Sequence, residues 1–193
     1  MKRVLAVVAL AALAGTASAA GRVVCSNANT PVIQDTIQVN EAGQPGLLFV
    51  GMHSPDQRQA YFLNFQGNWE AYQGGQYQPA ARYDVGLPSS YPLTVTLPGQ
   101  PAYTSAAFQG WTVYVGYGVY TPKAQSMVKT RRDALNKIKP QRVAQGKWSP
   151  EYDSDDRFIL SLVQKDLTDN KKYIQSVVIP YVDCTPPDVG HGH

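Results

Sequence analysis

GWTVYVGYGVYT runs from Gly110 to Thr121, and the four letters VGYG at Val115–Gly118 admit two readings. One is the filter of a potassium channel, in which backbone carbonyls replace an ion's water shell. The other is a β-strand with two glycines in it. The filter needs membrane helices around it and a ring of copies. After the first twenty residues no apolar run reaches the roughly 20 residues needed to cross a bilayer. Tyr114 also stands where the filter signature has threonine. The strand reading remains. In it Trp111, Val113, Val115, Tyr117 and Val119 share one apolar face, which points to a core. Thr112, Tyr114, Gly116, Gly118 and Tyr120 share the other. Glycine inside a strand marks a bend, a bulge or the close approach of another group.

Outward from this strand the chain reads as short strands cut by Gly, Pro and Asn. They are expected at Thr36–Val39, Gly46–His53, Ala60–Phe65, Leu93–Leu97, Gly110–Tyr120 and Tyr173–Val182, separated by EAGQPG, SPDQ, QGN, LPSS and LPGQP. This spacing predicts a single-domain, mainly β, antiparallel sandwich of immunoglobulin type spanning residues 20–184, with a flexible tail over 185–193. One helix is expected directly after the Gly110 strand. Thr121 caps it, Pro122 is its first residue, Lys123, Lys129, Arg132 and Lys137 lie on its outer face, and Pro140 stops it. Residues Asp153–Lys172 fit a second helix near 155–167, with acids first and lysines last. They also fit a hairpin running into the β-branched segment Tyr173–Val182, and the β neighbours favour the hairpin.

The start of the chain is read separately. Met1-Lys2-Arg3, an apolar run Val4–Ala14 and the small-residue site Ala17-Ser18-Ala19 have the form of a secretory signal over residues 1–19. The working chain would begin near Ala20, with no transmembrane segment. Lys2 and Arg3 would leave with the leader, so 17 basic against 14 acidic residues becomes 15 against 14, and a net +3 becomes +1. A near-neutral domain offers no electrostatic case for binding nucleic acid. In an oxidising compartment the two cysteines, Cys25 and Cys184, permit one intramolecular bridge, joining the first segment to the last.

Catalytic signals are sparse. His53 lies at a strand end, His191 and His193 lie in the tail, and no G-x-S-x-G elbow occurs, so no catalytic residue is assigned. Asp153, Asp155 and Asp156, with Asp166 and Asp169 further on, form the best carboxylate cluster. It suits calcium ligation or a hydrolase acid–base pair, yet lacks the glycine and closing Glu of an EF-hand loop. The paired tail imidazoles suit at most weak copper or nickel binding. Trp69, Tyr72, Tyr77 and Tyr83 place rings on loops, and Tyr72–Tyr83 is a Gln-, Gly- and Tyr-rich stretch read as an exposed loop. Such rings suit sugar stacking or a protein interface.

GWTVYVGYG resembles a strand motif of secreted or surface β-domains of Gram-negative bacteria, some attached to pilus or adhesin assemblies. The resemblance implies a location in the periplasm or at the cell surface and a domain type; it implies no catalytic residue. With the residue-level reading, it leads to a non-catalytic binding or assembly domain. The partner would be an envelope or surface protein, or a polysaccharide. The alternatives are an envelope hydrolase using the Asp153 cluster and a carbohydrate-binding module using the loop aromatics.

Overall fold

A computed structural model describes residues 21–99, 103–150 and 153–187. The expected leader, His191 and His193 lie outside them. Nine strands and two α-helices follow in order: β1 (Arg22–Cys25), β2 (Pro31–Gln38), β3 (Gly46–His53), β4 (Ala60–Leu63), β5 (Trp69–Ala71), β6 (Ala81–Tyr83), β7 (Ser90–Thr96), β8 (Thr112–Val119), α1 (Pro122–Ala144), α2 (Asp155–Asp169) and β9 (Tyr173–Val178).

The strands form two antiparallel sheets. A three-stranded sheet has the order β1-β2-β7; a six-stranded one has the order β5-β4-β3-β8-β9, with β6 also paired to β3. The main core gathers Ile33, Ile37, Val39, Leu93, Val95 and Leu97 from the smaller sheet and the residues that follow its strands. The larger sheet and its flank contribute Leu48, Val50, Met52, Trp111, Val113, Val115, Tyr117 and Val119. The whole expected apolar face of the opening stretch is therefore buried. Trp69 and Tyr83 also pack against this core, and the Trp69 indole N–H donates to the Thr96 carbonyl at 2.7 Å.

The opposite face of the larger sheet is covered by α2. Leu47 and Phe49 of β3 meet Val163 and Leu167 in a second, smaller core. The two glycines permit this contact. Gly116 stands beside Phe49 and Gly118 beside Leu47 across the β3–β8 ladder. A β-carbon on Gly118 would collide with the Val163 carbonyl oxygen, and one on Gly116 would lie 2.5 Å from the Lys172 carbonyl and 2.9 Å from Leu167 Cδ1. The glycines thus mark the track on which α2 rests.

The hairpin expected over Asp153–Lys172 is therefore corrected. Residues 155–169 are helical. Their buried residues, Val163 and Leu167, recur at a spacing of four, and Asp155 and Asp156 occupy the first turn, where the helix dipole favours acids. Only the downstream half is a strand, β9, which ends at Val178. A second correction concerns Pro140. It lies inside α1, which continues to Ala144. Proline forfeits one helical hydrogen bond, and here the surrounding turns, residues 136–141, are solvent-exposed, so water can take the freed carbonyl. The start of α1 is as expected: Thr121 Oγ1 accepts a hydrogen bond from the Ala124 amide at 3.2 Å, directly before Pro122.

The chain ends are tied together. Cys25 and Cys184 form a disulfide, with Cα atoms 5.4 Å apart at a sequence separation of 159. Beside it, buried Ser105 donates to the Pro180 carbonyl at 2.6 Å and accepts from the Val182 amide at 2.7 Å. Among the described residues no helix is long and apolar enough to cross a membrane.

Candidate aromatic groove

The face of the larger sheet that carries α2 is only partly covered by it. Beyond Leu167 the sheet surface is open, and aromatic side chains rise around the opening. The result is a groove of about 400 Å³, in the range of small-ligand sites. Its floor is the sheet at Phe49, Gly51 and Gly116. Gly51 lies low because the ring of Phe62, its neighbour on β4, folds over it; a β-carbon there would come 2.7 Å from that ring.

One wall is a run of stacked rings. Phe62 and Tyr77 lie nearly parallel, 13° apart with centroids 4.4 Å apart, and Tyr72 meets both edge-on at 5.4 and 5.5 Å. The opposite wall is Tyr114 and Tyr173, edge-on at 6.3 Å. His53 closes one end, stacked on Tyr114 at 5.2 Å. Its Nδ1 lies 2.8 Å from the Ser54 carbonyl and its Nε2 3.3 Å from the Tyr114 hydroxyl. A carbonyl can only accept, so Nδ1 carries the proton. In the neutral ring Nε2 then accepts from the Tyr114 hydroxyl.

The loop supplying Tyr77 is fastened to α2 rather than loose. Gln164 Oε1 accepts from the Tyr77 amide at 2.7 Å, and Gln76 Nε2 donates to the Arg157 carbonyl at 2.6 Å. Tyr72, at the start of the loop, bonds the Gly75 carbonyl at 3.1 Å. Burial pushes the Tyr77 phenol above its ordinary pKa, and the nearby phenols of Tyr72 and Tyr173 push it further. Tyr77 therefore stays a neutral donor at physiological pH. None of the described lining residues carries a permanent charge. The groove can hold an uncharged, largely apolar group and address its polar edge with phenols and an imidazole.

The four rings singled out in the sequence thus separate. Tyr77 lines the groove and Tyr72 packs edge-on against its wall; Trp69 and Tyr83 face the core between the sheets. Residue-level reasoning missed Phe62, Tyr173 and the role of His53. One signal pointed to them: Tyr114 shares a strand face with Gly116 and Gly118, the face left open beyond the helix.

The carboxylates separate as well. Asp155 is held by Arg131 at 2.9 Å and Arg132 at 2.6 Å, both from α1. Asp153 pairs with Arg142 at 3.0 Å and accepts from the Ser149 amide at 3.0 Å. Asp156 faces Arg82 at 3.4 Å. These acids fasten α2 to α1 and to β6. Asp169 pairs with Lys165. Asp166 accepts from the Val119 amide, Asn170 and Lys172, each at 2.8 Å. Among the described residues, no three His, Cys, Asp or Glu side chains gather as a metal site.

No family model, no curated protein and no solved structure matches the chain.

Proposed function

We propose that the protein is an exported, non-catalytic binding or assembly domain of the periplasm or cell surface. On this reading the leader is removed near Ala20 and the paired sheets work as an immunoglobulin-like sandwich. The domain serves an envelope, pilus or adhesin component by seating an uncharged apolar or ring-bearing group of the partner in the aromatic groove. The observation that carries the reading is the uncharged ring-walled groove between Phe62–Tyr77 and Tyr114–Tyr173. Rings that bury easily and lose little rotamer freedom are the residues that dominate binding surfaces.

Two observations rank the alternatives. Phe62 and Tyr77 stack on each other, so each has one face already occupied, which favours insertion of a side chain over a sugar stacked on a ring platform. The aspartates of the hydrolase reading are each engaged by a different arginine. Pull-down from native envelope with wild type and Tyr77→Ala, at matched unfolding temperature, tests the proposal. A specific envelope protein retained by wild type and lost in Tyr77→Ala supports it. Retardation in polysaccharide-containing gels, lost in the same variant, would replace it with the carbohydrate-binding reading. Turnover of cell-wall fragments abolished by Asp155→Asn would overturn it in favour of the hydrolase.

A further inference from the structure

Helix α1 is longer than the core requires. It runs for 23 residues, about 34 Å, yet buries only Ala124 and Val128 near its start. From Lys129 to Lys147 no residue is buried. Most helices in folded proteins are held by packing one apolar face on a neighbour. Most of α1 has no such neighbour, and its sequence supplies charge instead.

The small net charge of the chain hides a separation. Of its 17 basic and 14 acidic residues, α1 holds seven and one, so the rest holds ten and thirteen. The helix is +6 and everything else is −3. The arginines of α1 face inward: Arg131 and Arg132 hold Asp155, and Arg142 holds Asp153. The lysines face out. Lys123, Lys129 and Lys137 are exposed and pair with no acid among the described residues, and Lys139 lies over the Trp148 ring at 4.8 Å. Apolar side chains stand among them. Met127 and Ile138 are each 43% exposed, and with exposed Ala134 between them they recur at i, i+7 and i+11, one row along the helix. Lys123, one turn before Met127, and Lys137, one turn after Ala134, flank that row.

We propose that this face of α1 docks on a bilayer surface rich in anionic phospholipid. Charge complementarity and the apolar row together select that occupant. A bilayer presents anionic head groups above an apolar layer, so the lysines meet phosphate while Met127, Ala134 and Ile138 rest at the head-group boundary. A soluble polyanion would satisfy the lysines and leave the row in water. A second copy's α1 would satisfy the row and set lysine against lysine. The aromatic groove takes no part in this contact, because no residue of α1 lines it.

Vesicle flotation tests the surface, using the chain that starts at Ala20 so that the apolar run Val4–Ala14 cannot contribute. Wild type should float with vesicles of mixed phosphatidylcholine and phosphatidylglycerol, and stay behind with phosphatidylcholine alone. Lys123→Gln with Lys137→Gln should weaken binding roughly 30-fold, the loss expected of two lysines at an anionic surface. Met127→Ser with Ile138→Ser should weaken it about tenfold at the same salt. Both pairs should keep the wild-type Tm, because all four side chains are exposed. No flotation with the anionic vesicles overturns the proposal. So does flotation that the serine pair leaves unchanged, which would make α1 a general polyanion binder. A dimer seen by sedimentation without vesicles, and lost in the serine pair, would give the face to a second copy instead. Tyr77→Ala must float as wild type does, so the vesicle result and the groove reading stand or fall separately. Loss of flotation in that variant would move the lipid to the groove and overturn the α1 surface.

Discussion

At the scale of single residues, Gly116 and Gly118 have the largest consequences. Replacing an open, extended glycine by alanine stabilises slightly, because the unfolded chain loses freedom. Here the sign is reversed, since a β-carbon on Gly118 meets the backbone of α2 at Val163, which cannot swing aside as a side-chain tip can. Gly118→Ala should therefore destabilise by about 1–3 kcal/mol and Gly118→Val by more, read from urea midpoints. Equal or higher midpoints would mean that α2 does not rest on β8. Gly51 is the contrasting case. Its obstacle is the ring of Phe62, part of the groove wall, so Gly51→Ala should shift the aromatic near-UV circular dichroism in step with any loss of binding.

At the scale of elements, α2 is held by packing on one side and by ion pairs on the other. Asp155→Asn releases Arg131 and Arg132 together and should cost about 1–2 kcal/mol, measured by thermal or urea unfolding. EGTA should leave Tm unchanged in both wild type and variant. A chelator-dependent fall would restore calcium to this cluster through ligand linkage.

The far end of α2 is pinned by Lys172, whose ammonium lies 2.5 Å from Glu41 and 2.8 Å from Asp166, with 13% of its side chain exposed. Burial pulls the Lys172 pKa down, but hydrogen bonds and charge from Asp166 and Glu41 outweigh it and hold it above the usual lysine value. A raised folded pKa means that this contribution is fully present below the unfolded value near 10.5. It is lost as pH climbs through the higher folded value. Lys172→Met should cost about 3 kcal/mol at neutral pH, because it leaves two acids facing each other without a cation. It should also remove part of the alkaline loss of stability seen in wild type. Urea titrations at neutral and alkaline pH check both outcomes.

At the scale of the whole molecule, the disulfide sets how the ends behave. It closes a loop of 159 residues. The chain-entropy argument assigns such a loop about 4–5 kcal/mol. Cys25→Ala with Cys184→Ala should lower the urea midpoint accordingly, without a change in the groove's rings. Neither cysteine lines the groove, so a loss of partner binding in that variant at low temperature, with the fold intact, would contradict the separation.

Much of this molecule is legible in local pattern. The alternation Trp111, Val113, Val115, Tyr117, Val119 alone identifies a buried strand face, and Thr121-Pro122 alone starts α1, because side-chain period and capping are properties of neighbouring residues. The Cys25–Cys184 pairing follows from there being only two cysteines. Three features were decided by tertiary surroundings rather than by local pattern. Residues 158–163 suit strand or helix about equally by local preference, and the glycine track on β8, some forty residues earlier, favours the helix because only there can a helical backbone come close. Pro140 survives inside α1 because the surrounding turns face water rather than a neighbour. The groove exists because Phe62, Tyr77, Tyr114 and Tyr173, from four separate segments, are brought to one open sheet face. Trp69 and Tyr83, indistinguishable from them by composition, turn inward because their strand positions face the core between the sheets.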